Sequence, residues 1–562
     1  MSGGKKVEKI LSLIPIALIV LFLHIFTNYV TSTYTKAVIQ NNLMWITPIF
    51  FSVTLGLIIL SFAFSLKHIG KLFNGIDKRI WVILVLIFVL GFYFRTFVAP
   101  HTHRLYYDED IYLNIAQNIK NEGRAILCNY GTTEKCVEGI YNKQPNGYPF
   151  LISLLFLLTG VNEVVASYFT SFLSSLTIVF VFFVSYLLTK DNRISLFSSL
   201  IFSLIPINIR WAPTTSAGSV FVLFTALTFF GFLAYFKIRK YPLLLFSFSS
   251  LAYAIQIRPE GTLLILLVGL MFILFDKKLF TELNNKKFLV VLVLFSVLIA
   301  PHLLHLETVK SESWGASGNK LGLNYIHKNL KDNGMFFFEN TRFPVVFTIL
   351  SLLGLYPFKR YWKEKSFLVV WFLTFFGLYL LFYAGSFNYG VDVRFSLNLY
   401  IPISILGAMG CLLIYEFLDD RFGNKIISIS IPIVIVLLAF SQFVPFVSEV
   451  GQKAWDARLA HDFIVERLDN LDKDCWIFTH VPSVVLVNGR NSLQAWYAQN
   501  PKIVNKLFSE SNCVMFYEEY WCNAEPWKSG PCKYFHDNFE LIPYDSVSKN
   551  GKTFTLYYMK RK

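Results

Sequence analysis

The chain has 562 residues, of which 55% are hydrophobic and only 15% are charged, and its net charge is +15. This composition excludes an ordinary soluble protein, because apolar runs of roughly 15–24 residues recur from end to end and about 20 suffice to cross a bilayer. The basic excess does not indicate a nucleic-acid partner. Most Lys and Arg residues lie in short connections between apolar runs, where positive charge marks the cytoplasmic side of a membrane protein.

Taken in chain order, the apolar runs predict thirteen membrane spans. The first begins at Ile10 and lacks the small-residue cleavage site of a signal peptide, so we expect it to remain in the membrane. The run from Leu151 to Leu158 is too short to cross, and it predicts a half-inserted helix instead. The predicted spans are 10–30, 43–66, 80–99, 164–188, 194–209, 215–236, 241–257, 261–275, 288–306, 343–358, 366–385, 395–418 and 426–446.

The charges of the connecting segments predict the orientation. With the N-terminus in the cytoplasm, 22 Lys and Arg residues fall in inner segments, against about four in the short outer loops. We therefore expect a multi-pass protein of the cell (plasma) membrane with an extracytoplasmic C-terminal domain. The expected regions are two extra N-terminal helices (1–79), a membrane region (80–446) with a first outer loop (100–147) and a second outer loop (307–342), and the C-terminal domain (447–562).

Six of the seven cysteines fall in the predicted outer pieces, and only Cys411 lies in a span. Disulfides persist outside the cytoplasm, so this distribution supports the orientation. The alternative is that all six are free thiols. The expected pairs are Cys128–Cys136, Cys522–Cys532 and Cys475–Cys513, the last of which would join two predicted strands.

The soluble pieces carry regular patterns. In "DEDIYLNIAQNIKNEG", isoleucines recur every four residues before Gly123, which predicts an amphipathic helix that starts at the acids and lies along the membrane surface. In the tail, "AWDARLAHDFIVERLDNL" predicts a helix, and "CWIFTH" and "CVMFYEE" predict strands. "FELIPYD" and "TFTLYYM" flank an Asn550-Gly551 turn and predict a hairpin. The predicted fold class is an α-helical polytopic membrane protein with a small extracytoplasmic α/β C-terminal domain.

A run of three acids begins a few residues beyond the third predicted span. Acids suit the positive end of a helix dipole, but one acid would serve that purpose. A carboxylate at the membrane boundary can instead act as a general base or ligate a cation. His101 and His103 lie nearby, but their spacing matches no strong zinc template, and we expect no metal. The candidates in this segment are Tyr107, Asp108, Glu109 and Asp110.

Cationic side chains at the outer ends of predicted spans form a candidate phosphate cradle. Each of them alone could be an interface anchor that extends its charge to water, which is the more common situation. Arg258 and Glu260 fit that explanation less well, because the helices around them are only about 15–17 residues long, which places their turn below the membrane surface. Arg suits phosphate because its fork binds two oxygens. The candidates are Arg210, Arg258, Glu260, His302, His305, Arg342 and Arg394.

The sequence contains no Walker loop and no GxGxxG motif after a strand. A nucleotide substrate would in any case be scarce outside the cell. An enzyme on the outer face therefore needs an activated donor that the membrane itself supplies. A polyprenyl phosphate sugar meets that need: its lipid tail requires an apolar groove, its phosphate requires cations, and its acceptor requires a carboxylate base.

Four segments carry a resemblance to a known family: "YYDEDIYLNIAQNIKNEG", "NKQPNGYPFLISLLFLLTG", "SLIPINIRWAP" and "VRFSLNLYIPISILGAMG". They resemble, in turn, the Asp-Glu motif, the Pro-rich approach to a juxtamembrane helix, and two Arg-bearing segments of the glycosyltransferase C superfamily. The closest branch is that of the protein O-mannosyltransferases and aminoarabinose lipid A transferases. The resemblance covers about residues 78–446. The Trp-Trp-Asp signature of oligosaccharyltransferases is absent, which disfavours en bloc glycan transfer to asparagine.

The resemblance implies a role for each matching residue. Asp108 would be the base that activates the acceptor, and Glu109 would orient the base or the acceptor. Arg394 matches the late Arg of the family, and Arg210 matches another Arg more loosely. Together with Arg258, these arginines would stabilise the leaving phosphate.

Two departures from the family pattern are visible. Ser216 stands where the family often has an acid, and Phe395 follows Arg394 where the family has Tyr. We nevertheless predict an inverting, metal-independent glycosyltransferase that transfers a sugar from a polyprenyl or dolichyl phosphate to a protein, lipid or glycan acceptor. The alternatives are a transporter or flippase for a lipid or solute, and a non-catalytic membrane scaffold. The lack of detectable internal repeats weighs against a transporter.

Overall fold

The computed structural model describes residues 14–103, 108–276, 278, 282–283, 285–312, 316, 318–387, 390–449, 455–549 and 551–562. Tyr107, a predicted site residue, and Asn550, of the predicted hairpin turn, lie outside these ranges. Most of the described residues before 449 are helical. The helices are α1 Ile14–Thr33, α2 Lys36–Phe73, α3 Lys78–Tyr93, α4 Asp108–Glu122, α5 Gly147–Thr159, α6 Glu163–Thr189, α7 Asn192–Ser203, α8 Pro206–Arg210, α9 Ala217–Ile238, α10 Tyr241–Ile257, α11 Leu263–Phe275, α12 Lys286–Val309, α13 Ile326–Phe338, α14 Val345–Gly354, α15 Trp362–Leu381, α16 Tyr400–Phe422, α17 Lys425–Ser441 and α18 Val444–Ser448.

The membrane region is confirmed, but the predicted count of spans is not. Among the described residues, eight helices are long and apolar enough to cross a membrane. The other five predicted spans correspond to the shorter helices α7, α10, α11, α14 and α17. The break between α10 and α11 falls between the two predicted spans: Pro259 cannot continue a helix, and it holds Arg258 in an extended conformation (φ −144°, ψ 141°). The predicted half-inserted run forms α5, which is only 13 residues long.

Arg95 is a fully buried arginine within the membrane region that the sequence did not single out. It lies in the π turn Phe94–Val98 that extends α3. Its Nη1 donates to the carbonyl oxygens of Gly91 (3.0 Å) and Ser203 (2.9 Å), and its Nη2 donates to that of Phe202 (3.2 Å). The last carbonyls of a helix have no partner within the helix. Arg95 therefore caps the C-terminal end of α7.

Replacing Arg95 with Met is expected to lower the free energy of unfolding by about 2–3 kcal/mol, because buried carbonyls lose a charged donor. Thermal unfolding of the detergent-solubilised protein measures the loss. Arg79→Met, near the start of the same helix, removes an exposed arginine and serves as the control. Equal transition temperatures for the two variants would contradict the capping role.

The acid-rich helix is confirmed as α4, which ends before Gly123 at φ +71°. It does not lie on an open surface, because α5 packs on one side of it and the C-terminal domain on the other. Its polar face is buried and finds partners within the protein. The Gln117 side chain donates to the Leu486 carbonyl (3.1 Å), and Asn118 donates to the Ile126 carbonyl (2.8 Å). The amphipathic pattern thus reflects polar contacts with protein rather than with water.

The C-terminal domain and the first outer loop share one sheet. Its seven strands run in the order β2-β1-β4-β3-β5-β7-β6, with β3 parallel to β4 and β5 and the other pairs antiparallel. Tyr130 of the loop pairs with Leu493 of the domain. The strands are β1 Leu127–Gly131, β2 Cys136–Ile140, β3 Trp476–Thr479, β4 Asn491–Gln494, β5 Val514–Glu518, β6 Phe539–Lys549 and β7 Lys552–Arg561; the helices are α19 Trp455–Leu468, α20 Pro482–Val487, α21 Pro501–Glu510 and α22 Lys533–Asn538.

The three predicted disulfides are confirmed, and Cys411 is free and buried. Cys128–Cys136 links the β1–β2 hairpin. Cys475–Cys513 joins the segments that lead into β3 and β5, as expected from the predicted strands. The first outer loop and the domain are therefore cross-linked locally and joined to one another through the sheet.

The second outer loop contains a helix, α13, that is held by the end of α15. Asn329 donates to the carbonyl of Phe382 (2.8 Å), and Asn333 donates to that of Gly385 (3.0 Å). Both asparagines are buried. These contacts order the chain just before the segment that carries Arg394.

Candidate active site

Asp108 and Arg394 meet at one cavity. Asp108 is the first residue of α4, and Arg394 lies in the 3-10 segment Gly390–Leu399 that leads into α16. Arg394 Nη2 lies 3.9 Å from Asp108 Oδ2. Both residues line a cavity of about 490 Å³, within the size range of small-molecule sites. Of the three consecutive acids, Asp108 is the one that lines this cavity.

The surroundings of Asp108 suit a proton acceptor. Partial burial raises the pKa of its carboxyl above the ordinary value, while the positive charges of Arg394 and Lys143 act in the opposite direction. A raised pKa makes a carboxylate a better base, and the cations keep it ionised. Arg394 also retains a buried Nη1 with no hydrogen-bond partner among the described residues, so it can still donate to a ligand.

Glu109 fixes the start of α4 rather than facing the cavity. Its buried Oε2 accepts from the backbone N–H of Thr215 (3.0 Å) and from the Thr215 hydroxyl (2.9 Å). Thr215 lies in the turn between α8 and α9, in the segment that carries Arg210. A charged acceptor of this kind forms strong hydrogen bonds. Glu109 therefore holds its neighbour Asp108 in place against the membrane helices.

Thr215→Val is expected to cost about 1.5–3 kcal/mol of stability, since it removes one hydrogen bond to a buried carboxylate. Thr214→Val is the matched control, because the Thr214 hydroxyl is buried without a hydrogen-bond partner among the described residues. Thermal unfolding compares the two. A cost that is the same in the Glu109→Gln background as in the wild type would show that the two side chains are not coupled.

Arg258 and Glu260 join Arg394 around one aromatic ring. The guanidinium carbons of Arg258 and Arg394 lie 5.4 Å and 5.2 Å from the centre of the Phe395 ring. Arg258 forms an ion pair with Glu260, which also accepts from the Tyr379 hydroxyl (3.0 Å). Tyr379 in turn stacks on Phe395 at 5.0 Å. The predicted grouping of Arg258, Glu260 and Arg394 is thus present in the structure.

The other wall of the cavity comes from the C-terminal domain. Tyr520, Trp521 and Trp527 contribute aromatic rings with a polar edge, and His480 and Gln494 contribute polar groups. The β1–β2 hairpin contributes Leu127, Cys128, Asn129 and Ile140. The cavity is therefore closed by parts of the chain that no local pattern would bring together.

The structure does not place Arg210 beside Asp108. Arg210 Nη1 lies 3.5 Å from Glu449 Oε2, and its guanidinium carbon lies 4.6 Å from the centre of the Phe446 ring. Burial lowers the pKa of Arg210, and the nearby positive charge of Arg342 lowers it further. The predicted arginines of the cradle therefore divide into a group around Asp108 and a group at the end of α18.

His302 and His305 lie on α12, and among the described residues they are not part of the cavity lining at Asp108. The Tyr141 hydroxyl is 2.7 Å from His305 Nδ1, and the two histidine rings stack at 5.6 Å. They line a small polar pocket that shares Phe50 and Pro301 with an apolar cavity of about 570 Å³ between α1, α2 and α12. Among the described residues, this apolar cavity shares no lining residue with the cavity at Asp108.

Asp110 points into a separate buried cluster. Its Oδ2 lies 3.5 Å from His103 Nδ1, and its Oδ1 lies 3.4 Å from His461 Nε2 of the C-terminal domain. Glu163 Oε1 is 2.5 Å from His103 Nε2. Burial disfavours the charged imidazole of His103, but the carboxylates outweigh this effect and raise its pKa well above the ordinary value. His101 stays outside the cluster and contacts Ser167 instead.

Comparison with known proteins decides the fold family. The family model "Dolichyl-phosphate-mannose-protein mannosyltransferase" matches residues 143–305. ArnT from Cupriavidus metallidurans bound to undecaprenyl phosphate has a TM-score of 0.52 at 10% identity, covering 85% of this chain and 97% of that one. The Archaeoglobus fulgidus oligosaccharyltransferase with a tethered acceptor peptide has a TM-score of 0.51 at 12% identity, covering 87% and 74%. The chain has the glycosyltransferase C fold.

A third similar structure is the oligosaccharyltransferase AglB from Archaeoglobus fulgidus in complex with an inhibitory peptide and a dolichol-phosphate, with a TM-score of 0.50 at 12% identity, covering 85% of this chain and 74% of that one. No curated protein matches the chain in sequence. The fold that the resemblance to the glycosyltransferase C superfamily implies is thus confirmed, at sequence identities of only 10–12%.

Within this glycosyltransferase C fold, several site residues were missed in the sequence. Lys143 stands in the quoted "NKQPNGYPF" segment, but the resemblance of that segment depends on its prolines and does not indicate a role for the lysine. Tyr379 left no signal, because it is 119 residues from its partner Glu260. Glu163 and His461 left none either, since each looks like an ordinary residue at a helix end or on a helix face.

Proposed function

We propose that this protein is a membrane glycosyltransferase that transfers a sugar from a polyprenyl or dolichyl phosphate to an acceptor at the extracytoplasmic face. The observation that carries the proposal is the pairing of Asp108 with Arg394 at one cavity, from segments almost 290 residues apart. A base and a phosphate-binding cation are the two groups that the reaction needs. The bound undecaprenyl phosphate of ArnT and dolichol-phosphate of AglB support this donor class.

The reaction follows from the positions of these groups. Asp108 accepts the proton of an acceptor hydroxyl or amine as its oxygen or nitrogen forms a bond to the anomeric carbon. The bond from that carbon to the phosphate oxygen breaks, and its electron pair stays on the phosphate. Arg394 donates hydrogen bonds to the phosphate as its negative charge grows. Attack from the face opposite the phosphate inverts the anomeric configuration.

The protein itself supplies the positive charge that this step requires. Arg394 and Lys143 both act electrostatically on Asp108, and Arg258 lies close to the same aromatic ring as Arg394. The Arg258–Glu260 ion pair, together with the hydrogen bond from Tyr379 to Glu260, holds the Arg258 guanidinium in place. The proposed transfer therefore needs no metal at the reacting atoms.

The acceptor enters from the side of the C-terminal domain, whose aromatic and polar side chains form that wall of the cavity. A protein, a lipid and a lipid-linked glycan are all compatible with such a wall. The isoprenoid chain of the donor stays in the membrane. The basic inner segments support an N-terminus in the cytoplasm and a cell-membrane location.

Donor cleavage tests the proposal without knowledge of the acceptor, because water can take the place of the acceptor nucleophile. Purified protein is incubated with polyprenyl phosphates that carry different radiolabelled sugars. Release of free polyprenyl phosphate and labelled sugar is measured. We expect cleavage of one or a few donors, and faster cleavage when membrane extract supplies the acceptor.

The alternative function as a transporter or flippase predicts a different result. A transporter reconstituted in vesicles would move the sugar lipid across the bilayer and leave its sugar–phosphate bond intact. Movement of intact donor without cleavage of any donor would overturn the proposal. A non-catalytic scaffold would show neither cleavage of the donor nor its movement across the bilayer, and this result would overturn the proposal as well.

A further inference from the structure

Two histidines and two carboxylates converge outside the lining of the active-site cavity. His103 precedes α4, Asp110 belongs to α4, Glu163 begins α6, and His461 lies on α19 of the C-terminal domain. One ligand atom from each of the four lies within 4.8 Å of the others. His103 and Asp110 are close in sequence, whereas Glu163 and His461 are far from them and from each other. The cluster therefore joins the membrane helices, the acid-rich helix and the C-terminal domain at one point.

The polar atoms of this cluster are buried and contact mainly one another. Glu163 Oε1 lies 2.5 Å from His103 Nε2, and the two Asp110 oxygens lie 3.5 Å from His103 Nδ1 and 3.4 Å from His461 Nε2. These contacts are poorly aligned: the ring nitrogens of His103, the oxygens of Asp110 and Nε2 of His461 form no hydrogen bond of good geometry among the described residues. The side chains of His103 and His461 are each 6% exposed, and that of Asp110 is fully buried. Poorly aligned polar contacts at such depth are costly, and several converging on one point indicate a ligand between them.

We propose that His103, Asp110, Glu163 and His461 bind a zinc ion that ties the C-terminal domain to the acid-rich helix α4. Metal–ligand bonds of about 2.0–2.1 Å in a tetrahedron place neighbouring ligand atoms about 3.4 Å apart. The observed His461–Asp110 and His103–Asp110 distances are 3.4 Å and 3.5 Å, and Glu163 lies 3.8 Å from His461 Nε2. Glu163 lies only 2.5 Å from His103 Nε2, so binding of the ion would move these two side chains apart. Two imidazoles favour zinc or a similar transition metal over magnesium or calcium, which prefer oxygen.

The outer contacts of His461 fit a metal ligand. Its Nε2 points into the cluster, while its Nδ1 lies 3.2 Å from Asp462 Oδ1. Metal-binding histidines usually donate their second N–H to a carboxylate in this way, which orients the ring. A second group with metal-binding residue types, His480 with Cys522 and Cys532, is not comparable because its two cysteines form a disulfide.

The zinc would position the catalytic base without contacting the substrate. Asp110 lies two residues after Asp108 on the same helix, and it does not line the cavity among the described residues. Holding α4 against His461 would keep Asp108 facing the wall that the C-terminal domain supplies. This proposal departs from the expectation of a protein without metal, which rested on the local spacing of His101 and His103. It concerns a different site from the reacting atoms.

Metal content of the full-length protein tests the site directly. The protein is purified in detergent through a tag without histidine, and zinc is counted by mass spectrometry. We expect about one zinc ion per chain, and its loss in His461→Ala and Glu163→Gln. His536→Ala, a half-exposed histidine of the same domain, should keep the zinc. Asp108→Asn should also keep it, so that failure of the proposed transfer and failure of the zinc site are distinguishable.

Stability provides a second measurement. A chelator should lower the Tm of the wild-type protein, and added Zn²⁺ should restore it, whereas His461→Ala should respond to neither. Asp462→Asn keeps all four ligands and should weaken zinc binding by about 10–100-fold in a chelator competition. This variant replaces His461→Ala in the test if His461→Ala does not fold. The proposal is overturned if the wild-type protein carries no zinc and added Zn²⁺ leaves its Tm unchanged. Equal zinc content in the wild type, His461→Ala and Glu163→Gln would overturn it as well.

Discussion

Asp108→Asn is expected to lower kcat for sugar transfer by about 10²–10⁴-fold, the contribution of a positioned general base. The amide keeps the size of the side chain but cannot accept the acceptor's proton. Because Asp108 lines the cavity and is half-exposed there, its loss should not disturb folding. The rate of donor cleavage at saturating donor measures the effect, and donor affinity should stay close to that of the wild type.

Asp537→Asn on α22 is the control for the loss of a negative charge, since Asp537 is exposed and lies outside the cavity lining. It should leave kcat unchanged. Glu109→Gln tests the neighbouring acid separately, and its effect should appear in stability as well as in rate, because Glu109 is bound to Thr215. An Asp108→Asn protein that cleaves the donor at the wild-type rate would rule out Asp108 as the base.

Arg394→Gln is expected to lower kcat/KM for the donor by about 10²–10³-fold, as removal of a preorganised donor to a developing negative charge does in other enzymes. The reason is structural: Arg394 has a buried Nη1 without a hydrogen-bond partner among the described residues and faces Asp108 at 3.9 Å. Arg394→Lys should lose less activity, since it keeps the charge but not the bidentate fork. Steady-state kinetics with the cleaved donor separates the effects on kcat and KM.

Arg360→Gln is the matched control. Arg360 is also paired with a carboxylate, through hydrogen bonds of 2.7 Å and 3.0 Å to Glu416, but it lies between α14 and α15 and does not line the cavity. Its replacement should leave kcat/KM unchanged. If Arg394→Gln and Arg360→Gln give the same kcat/KM, the leaving phosphate is stabilised by other groups, and Arg258 becomes the first candidate.

Much of the fold was predictable because the relevant signals are local. Apolar runs predicted the membrane region, and eight of the helices are long and apolar enough to span it. The acids followed by regularly spaced isoleucines predicted α4, and alternating residues around Gly551 predicted the β6–β7 hairpin. The number of spans was less predictable, since five predicted spans are helices shorter than 18 residues, and hydropathy alone does not decide whether such helices cross the membrane.

The site was predictable only in part. Asp108, Arg394 and Arg258 were recognised by residue type and by position at the ends of spans, and the structure groups them. Arg210 had the same sequence features, yet it pairs with Glu449. Nothing local distinguishes Arg210 from Arg258, because both follow short apolar helices.

The sequence by itself determined that the region before the C-terminal domain is a membrane region, where the acid-rich helix begins and which cysteines pair, because hydropathy, helix periodicity and cysteine placement act over short stretches of chain. Only the tertiary structure decided which charges meet. The addition of the β1–β2 hairpin to the sheet of the C-terminal domain brings that domain over Asp108 and carries His461 to Asp110. Such contacts depend on the packing of whole helices and on a sheet assembled from strands more than 300 residues apart, and the free energy that selects them is spread over the entire buried surface.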